Sequence, residues 1–287
     1  AAGRRAWSKT QETLQLMEST RSRDVDVTYD QYPYTAGMTS LVTLMPPWVH
    51  EGGVDKLLRR LRDDETWMKI RRELETETPD RENILEEAGW ERIIISQVRS
   101  EPLKELEGKS MSEVATLLRK QDEFAALRDL LLEERGEVTM IVFYVDESDL
   151  EYAMRGRYQM FGTDSWSVSP TGLLSRGKPH PRFYGTYPRI LGQYVRVKGV
   201  LRLEDAVRRM TSFPAQRVGL KDRGILEEGF YADIVIFNPE TIDDKATYDQ
   251  PSQFPDGIDK ILVNGQVVVD SDGLTQARPG RVLLKEG

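Results

Sequence analysis

The chain has 287 residues, 39% of them hydrophobic and 31% charged, enough core material for one large domain or two unequal ones. A formal charge of -8 argues against broad phosphate-backbone binding, which draws on clustered Lys and Arg, so nucleic acid is not an expected partner. The lack of cysteine removes disulfides and thiolate metal ligands, and no apolar run reaches the ~18 residues of a membrane span, so a cytoplasmic protein without membrane association is expected.

The text opens without Met and directly before a helix, the pattern expected of a fragment or of one half of a nicked protein. Ser8 with Gln11 fits a capping box, and Leu14 and Met17 keep a helical spacing behind it. Val25, Val27 and Tyr29 alternate with Asp26, Thr28 and Asp30, which predicts a strand, and residues 31–37 read as a functional loop. Residues 51–135 change to charged amphipathic helices, with Val54, Leu57, Leu58 and Leu61 on one apolar stripe and Trp67, Ile70 and Leu74 on another. Ile93, Ile94 and Ile95 form a strand-like interruption there, and most of the charges are read as a solvated face.

Residues 138–143 then predict a strand, 147–154 a helix, and 158–163 the strand that delivers Asp164 at its carboxyl end. Residues 203–210 form an amphipathic helix, and Pro214 opens another, since proline is tolerated in a first turn. The alternation stops there. Residues 232–238 and 260–263 predict short strands, and Asn264-Gly265 before 266–269 is a strong hairpin signal, because both turn positions need positive φ.

A carboxylate in Asp164's position can bind a divalent metal or accept a proton, although the default role of an Asp after Gly-Thr is a helix cap or turn former. His50 and His180 are the only histidines, so no His-x-His pair exists; His50 reads as structural, His180 as loop packing or part of a site. Arg176, Lys178, Arg182 and Arg189 gather in a stretch, 165–202, that holds no Asp or Glu. A guanidinium there suits capture of a carboxylate, against the alternative of ordinary surface arginines. Tyr32 and Tyr34 flank Pro33 and are either core-rim aromatics or substrate contacts. An acid beside a cationic aromatic pocket suggests hydrolysis of an anionic substrate.

The segments Asp30-Gln31-Tyr32-Pro33-Tyr34-Thr35-Ala36-Gly37, Gly162-Thr163-Asp164, His180-Pro181-Arg182-Phe183-Tyr184-Gly185-Thr186 and Ala232-Asp233-Ile234-Val235-Ile236-Phe237 together resemble the N-acyl-D-amino-acid deacylases of the amidohydrolase superfamily. The last block, with Arg223-Gly224 and Gly229 ahead of it, is shared by many amidohydrolases; the Tyr-Pro-Tyr and His-Pro-Arg segments are more specific. The resemblance implies an α/β fold, the C-terminal part of a (β/α)8 TIM-like barrel, with a helical insertion and part of a small β-sandwich. The division implied is barrel for residues 1–50, insertion or lid for 51–135, barrel with strand eight for 136–215, and β-sandwich for 216–287.

The activity implied is zinc-dependent hydrolysis of the amide bond of N-acyl-D-amino acids, with one or two zinc ions. Asp164 is similar to the family's base, which takes a proton from metal-bound water and also touches the metal. Tyr32, Arg182 and His180 match substrate-binding positions. The family's His-x-His pair, Cys and two further His are not in this chain, which implies a complementary N-terminal half, separate or missing. Met38 departs from the family's frequent Ser, a position that helps bind substrate. Two alternatives stay open: an amidohydrolase acting on cyclic amides or dipeptides, and a non-catalytic subunit that binds a partner chain.

Overall fold

The computed structural model describes residues 3–76 and 82–284. Helix α1 (Thr10–Arg21) precedes a short strand β1 (Tyr29–Gln31) and a longer one, β2 (Ala36–Ser40). Then come α2 (Val54–Arg62), α3 (Asp64–Glu75), α4 (Ile84–Ala88), β3 (Ile93–Gln97), α5 (Met111–Leu117), α6 (Glu123–Glu133) and β4 (Thr139–Phe143). Side chains that accept orphan amides set the helix starts: Asp63 from Thr66, Asn83 from Glu86, Asp122 from Ala125, and Ser110 in a reciprocal box with Glu113.

Next are α7 (Glu147–Met154), β5 (Gln159–Phe161) and α8 (Arg182–Arg189). Pro188 removes a backbone donor from the end of α8, and the helix continues in wider π-helical turns over Ile190–Val197. Two helices, α9 (Leu203–Met210) and α10 (Ser212–Val218), lead to the strands β6 (Ile234–Phe237), β7 (Ile258–Val263), β8 (Gln266–Asp270) and β9 (Gly273–Leu274).

The strands form three sheets. β1 and β5 pair in parallel, with Tyr29 opposite Gln159 and Gln31 opposite Phe161, and β5 is buried along its length as covered parallel strands are. β2, β4 and β3 form an antiparallel sheet in that order, and β6 to β9 form an antiparallel meander. At the β7–β8 turn Asn264 has φ 48° and Gly265 φ 79°, the left-handed pair that the hairpin requires. Arg223 pins this turn: it bonds both Asp233 and the Asn264 side chain, while the Asn264 amide donates to Asp233 Oδ1 at 2.8 Å. The block shared among amidohydrolases thus has a scaffold role here.

Among the described residues, most buried apolar side chains fall into two clusters. One joins the helices between β2 and β4 to the sheet around Leu61, Ile70, Ile95, Leu127 and Met140; the other holds Leu150, Met154, Phe161, Ile190, Tyr194 and Ile242. Leu57, Leu58 and Leu61 lie in the first as their stripe predicts, whereas Val54 is exposed at the first turn of α2.

Three local expectations change. The strand expected over 25–30 starts only at Tyr29, because pairing to β5 begins there and Val25 stays exposed. The loop expected over 31–37 is partly strand, since Ala36 and Gly37 pair with Phe143 and Val142. Ser8 makes no capping box: it has φ 69°, its amide donates to Asp149 Oδ2 at 2.7 Å, and α1 begins at Thr10 without a side-chain cap.

Candidate active site

Because β1 and β5 run parallel, the loops that follow them emerge at the same end, which brings Tyr32 and Asp164 together. The Gly162 amide donates to the Gln31 carbonyl at 3.2 Å, extending the pairing to the edge of the site. Asp164 then turns with φ 47°, a left-handed conformation that Asp tolerates. Its side chain is 70% exposed and faces a cleft of about 560 Å³ lined also by Met38, Ser40, Thr163, Trp166 and Arg182.

Arg182, the first residue of α8, is almost fully buried against Asp164. Its Nε donates to the Asp164 carbonyl at 3.0 Å, and Nη2 lies 2.9 Å from Asp164 Oδ2. The guanidinium carbon sits 4.9 Å from the centre of the Tyr32 ring, within cation–π range. Nη1 is buried without a hydrogen-bond partner among the described residues. Burial raises the pKa of the half-buried Tyr32 phenol and the Arg182 charge opposes that rise, so the ring is a neutral face for the cation.

His180 is inaccessible, and both of its ring nitrogens are engaged. Nδ1 accepts the Arg182 amide at 3.0 Å, so the neutral ring carries its proton on Nε2, which lies 3.0 Å from the Ala36 carbonyl. Burial, helped by the Arg182 charge, pushes its pKa down to about 3. The rings of Tyr34 and Tyr248 meet it edge-on at 5.0 Å and 5.2 Å. The expected substrate contact is therefore a support for Arg182, with no nitrogen left for a ligand.

The other cations of the acid-free stretch disperse. Arg189 turns away to the Pro33 carbonyl and Asp244, Lys178 lies over Gly108, and Arg176 lines a neighbouring cleft of about 400 Å³ with Met38, Trp166, Leu173 and Leu174. His50 is exposed at the end of a short 3-10 turn. Among the described residues no group of three or more His, Cys, Asp or Glu is placed to hold a metal ion. Asp164 offers one oxygen donor, short of the three protein ligands of a hydrolytic zinc. Asp244, beside Arg189, and Tyr248, against His180, carry no motif in the sequence; they come from the link between β6 and β7, and only the tertiary fold brings them in.

Residues 153–269 match the model of the amidohydrolase family. A D-aminoacylase from Alcaligenes xylosoxydans xylosoxydans is 32% identical over 283 residues, 99% of this chain and 47% of that protein. An N-acyl-D-glutamate deacylase from the same organism is 31% identical over 98% of this chain and 46% of its own. A crystal structure of N-acyl-D-glutamate deacylase from Bordetella bronchiseptica, complexed with zinc and a phosphonate mimic of the tetrahedral intermediate, superposes with a TM-score of 0.72 at 28% identity, covering 98% of this chain and 48% of that one. The chain spans about half the length of the relatives it matches. The chain is thus similar to amidohydrolases over residues 153–269 and, along nearly its whole length, to the C-terminal half of D-aminoacylase and N-acyl-D-glutamate deacylase.

Proposed function

We propose that this chain supplies part of a zinc-dependent hydrolase that cleaves the amide bond of N-acyl-D-amino acids, releasing a D-amino acid and a carboxylate. The observation that carries this reading is the Tyr32–Arg182–Asp164 group, an exposed carboxylate against a buried guanidinium at the carboxyl ends of two parallel strands. The names of the relatives support the substrate class. In this reading β1 and β5 are strands seven and eight of a (β/α)8 barrel, residues 51–135 an insertion over its mouth, and residues 216–287 part of a β-sandwich. The described residues do not furnish a zinc site, so the ligands beyond Asp164 belong to a complementary N-terminal half.

This chain's own share of the chemistry is anion recognition and proton transfer. Arg182, which packs on Tyr32 and lines the cleft, receives the substrate carboxylate and so orients the scissile amide over Asp164. Asp164, the one of the pair that faces the open cleft, accepts the proton of the attacking water and returns it to the departing nitrogen.

The test compares charged and neutral substrates. Arg182→Lys replaces a planar fork with a point charge and lowers kcat/KM on N-acyl-D-amino acids by about 1.5–3 kcal/mol, while the corresponding neutral amide or ester, poor with the parent, is spared. Equal loss on both would assign Arg182 to loop organisation.

A further inference from the structure

Helix α8 carries two arginines that meet two tyrosines. Arg182 and Arg189 stand at its two ends, two turns apart and so on one face. The first lies beneath the Tyr32 ring, the second 5.0 Å from the centre of the Tyr34 ring. Between the tyrosines, the Pro33 carbonyl accepts from Arg189 Nε at 2.9 Å, and Arg189 Nη1 lies 3.4 Å from Asp244 Oδ2. The Asp244 side chain is only 6% exposed. Burial raises its carboxyl pKa and the neighbouring Arg189 charge pulls it back.

The approach of Asp244 depends on two glycines. A Cβ on Gly185 would lie 2.6 Å from the Tyr34 hydroxyl and 2.9 Å from Asp244 Cβ, and one on Gly192 would lie 2.8 Å from the Ile242 carbonyl oxygen. The link between β6 and β7 therefore packs directly on the helix backbone. From there Tyr248 reaches His180, which in turn bonds the Arg182 amide.

We infer that Arg189 and Asp244 form a positioning clamp: through the Pro33 carbonyl they hold the Tyr32 loop over the Arg182 guanidinium, so the C-terminal region sets the geometry of the anion site. The kinetic half of this inference rests on the function proposed above; the structural half does not. Asp244→Asn and Arg189→Met each remove one partner with little change of size.

In the complete enzyme each substitution raises KM for N-acyl-D-amino acids about tenfold, the scale of one lost hydrogen bond to a charged group, while kcat holds and the neutral amide is unaffected. Hydrogen exchange on this chain reads the clamp without activity: amides of residues 34–38 exchange faster in either variant, and those of residues 126–131 in α6 stay protected. Arg189→Lys, which keeps the charge opposite Asp244, recovers part of that protection. Unchanged exchange at 34–38, or equal losses on charged and neutral substrates, overturns the clamp. If the parent turns over neither substrate, the deacylase reading falls and exchange alone decides. Should the single variants fail to fold, the double Asp244→Asn/Arg189→Met, which leaves no unpaired buried charge, carries the same measurements.

Discussion

His180 couples the site to solvent acidity through stability. Its pKa of about 3 in the folded state lies below the ordinary 6.5, so the unfolded chain takes up a proton between those values that the folded chain refuses. Stability from this group is complete above the ordinary value and is lost as pH falls toward the folded one, at up to roughly 1.4 kcal/mol per unit. Denaturant unfolding between pH 7 and pH 4 should show that slope, and His180→Gln should flatten it; parallel slopes in both proteins would mean the ring is not buried neutral. Asp164→Asn isolates the proposed base, because Asn also tolerates the φ of 47° and preserves the turn. Turnover should fall roughly 100-fold or more with the fold retained, whereas near-normal turnover would leave Asp164 a turn residue. Asp164, Arg182 and Tyr32 were legible in the sequence because each is a reactive or ionic side chain next to a strand end or a proline. Asp244 was not, since a lone acid in a polar link gains its meaning only from the helix it lands on.

At the scale of elements, strong local patterns survived folding and weak ones did not. The helices expected over 147–154 and 203–210 form at those bounds, and Asn264-Gly265 turns the hairpin as its chemistry demands. The helix over 182–197 was hidden by Pro181, Gly185, Pro188 and Gly192, which read as loop; two of these admit the close packing of residues 242–244 that compensates their poor propensity. Capping separates a real box from an apparent one. Ser110→Ala should cost about 1 kcal/mol, because the Ser110 hydroxyl accepts from the Glu113 amide and Glu113 reaches back to the Ser110 amide. Ser8→Gly should be neutral or stabilising, since Ser8 caps nothing and sits at φ 69°. Chemical denaturation of the two variants decides; a larger loss at Ser8 would restore the sequence-based cap.

For the molecule as a whole, the chain by itself should hold zinc weakly. It has no Cys and two His, one of them buried with both nitrogens bonded. Metal analysis after dialysis should find little zinc, and a stoichiometric, tightly retained ion would refute the idea that the ligands are shared with another segment. The sheet order also bears on how such a chain assembles. The parallel partners β1 and β5 are separated by the whole of the first core, and closing so long a loop is entropically costly before any contact rewards it. Pairing of β2 with β4 removes that obstacle, because it draws residues 36 and 143 side by side and leaves only the stretches 32–35 and 144–158 to close. The inserted unit then acts as a zipper that must shut first. Weakening it with Leu127→Ala, a substitution in the first core, should slow the refolding of the parallel pair as well as its own, and the candidate site would be the last part of the chain to mature.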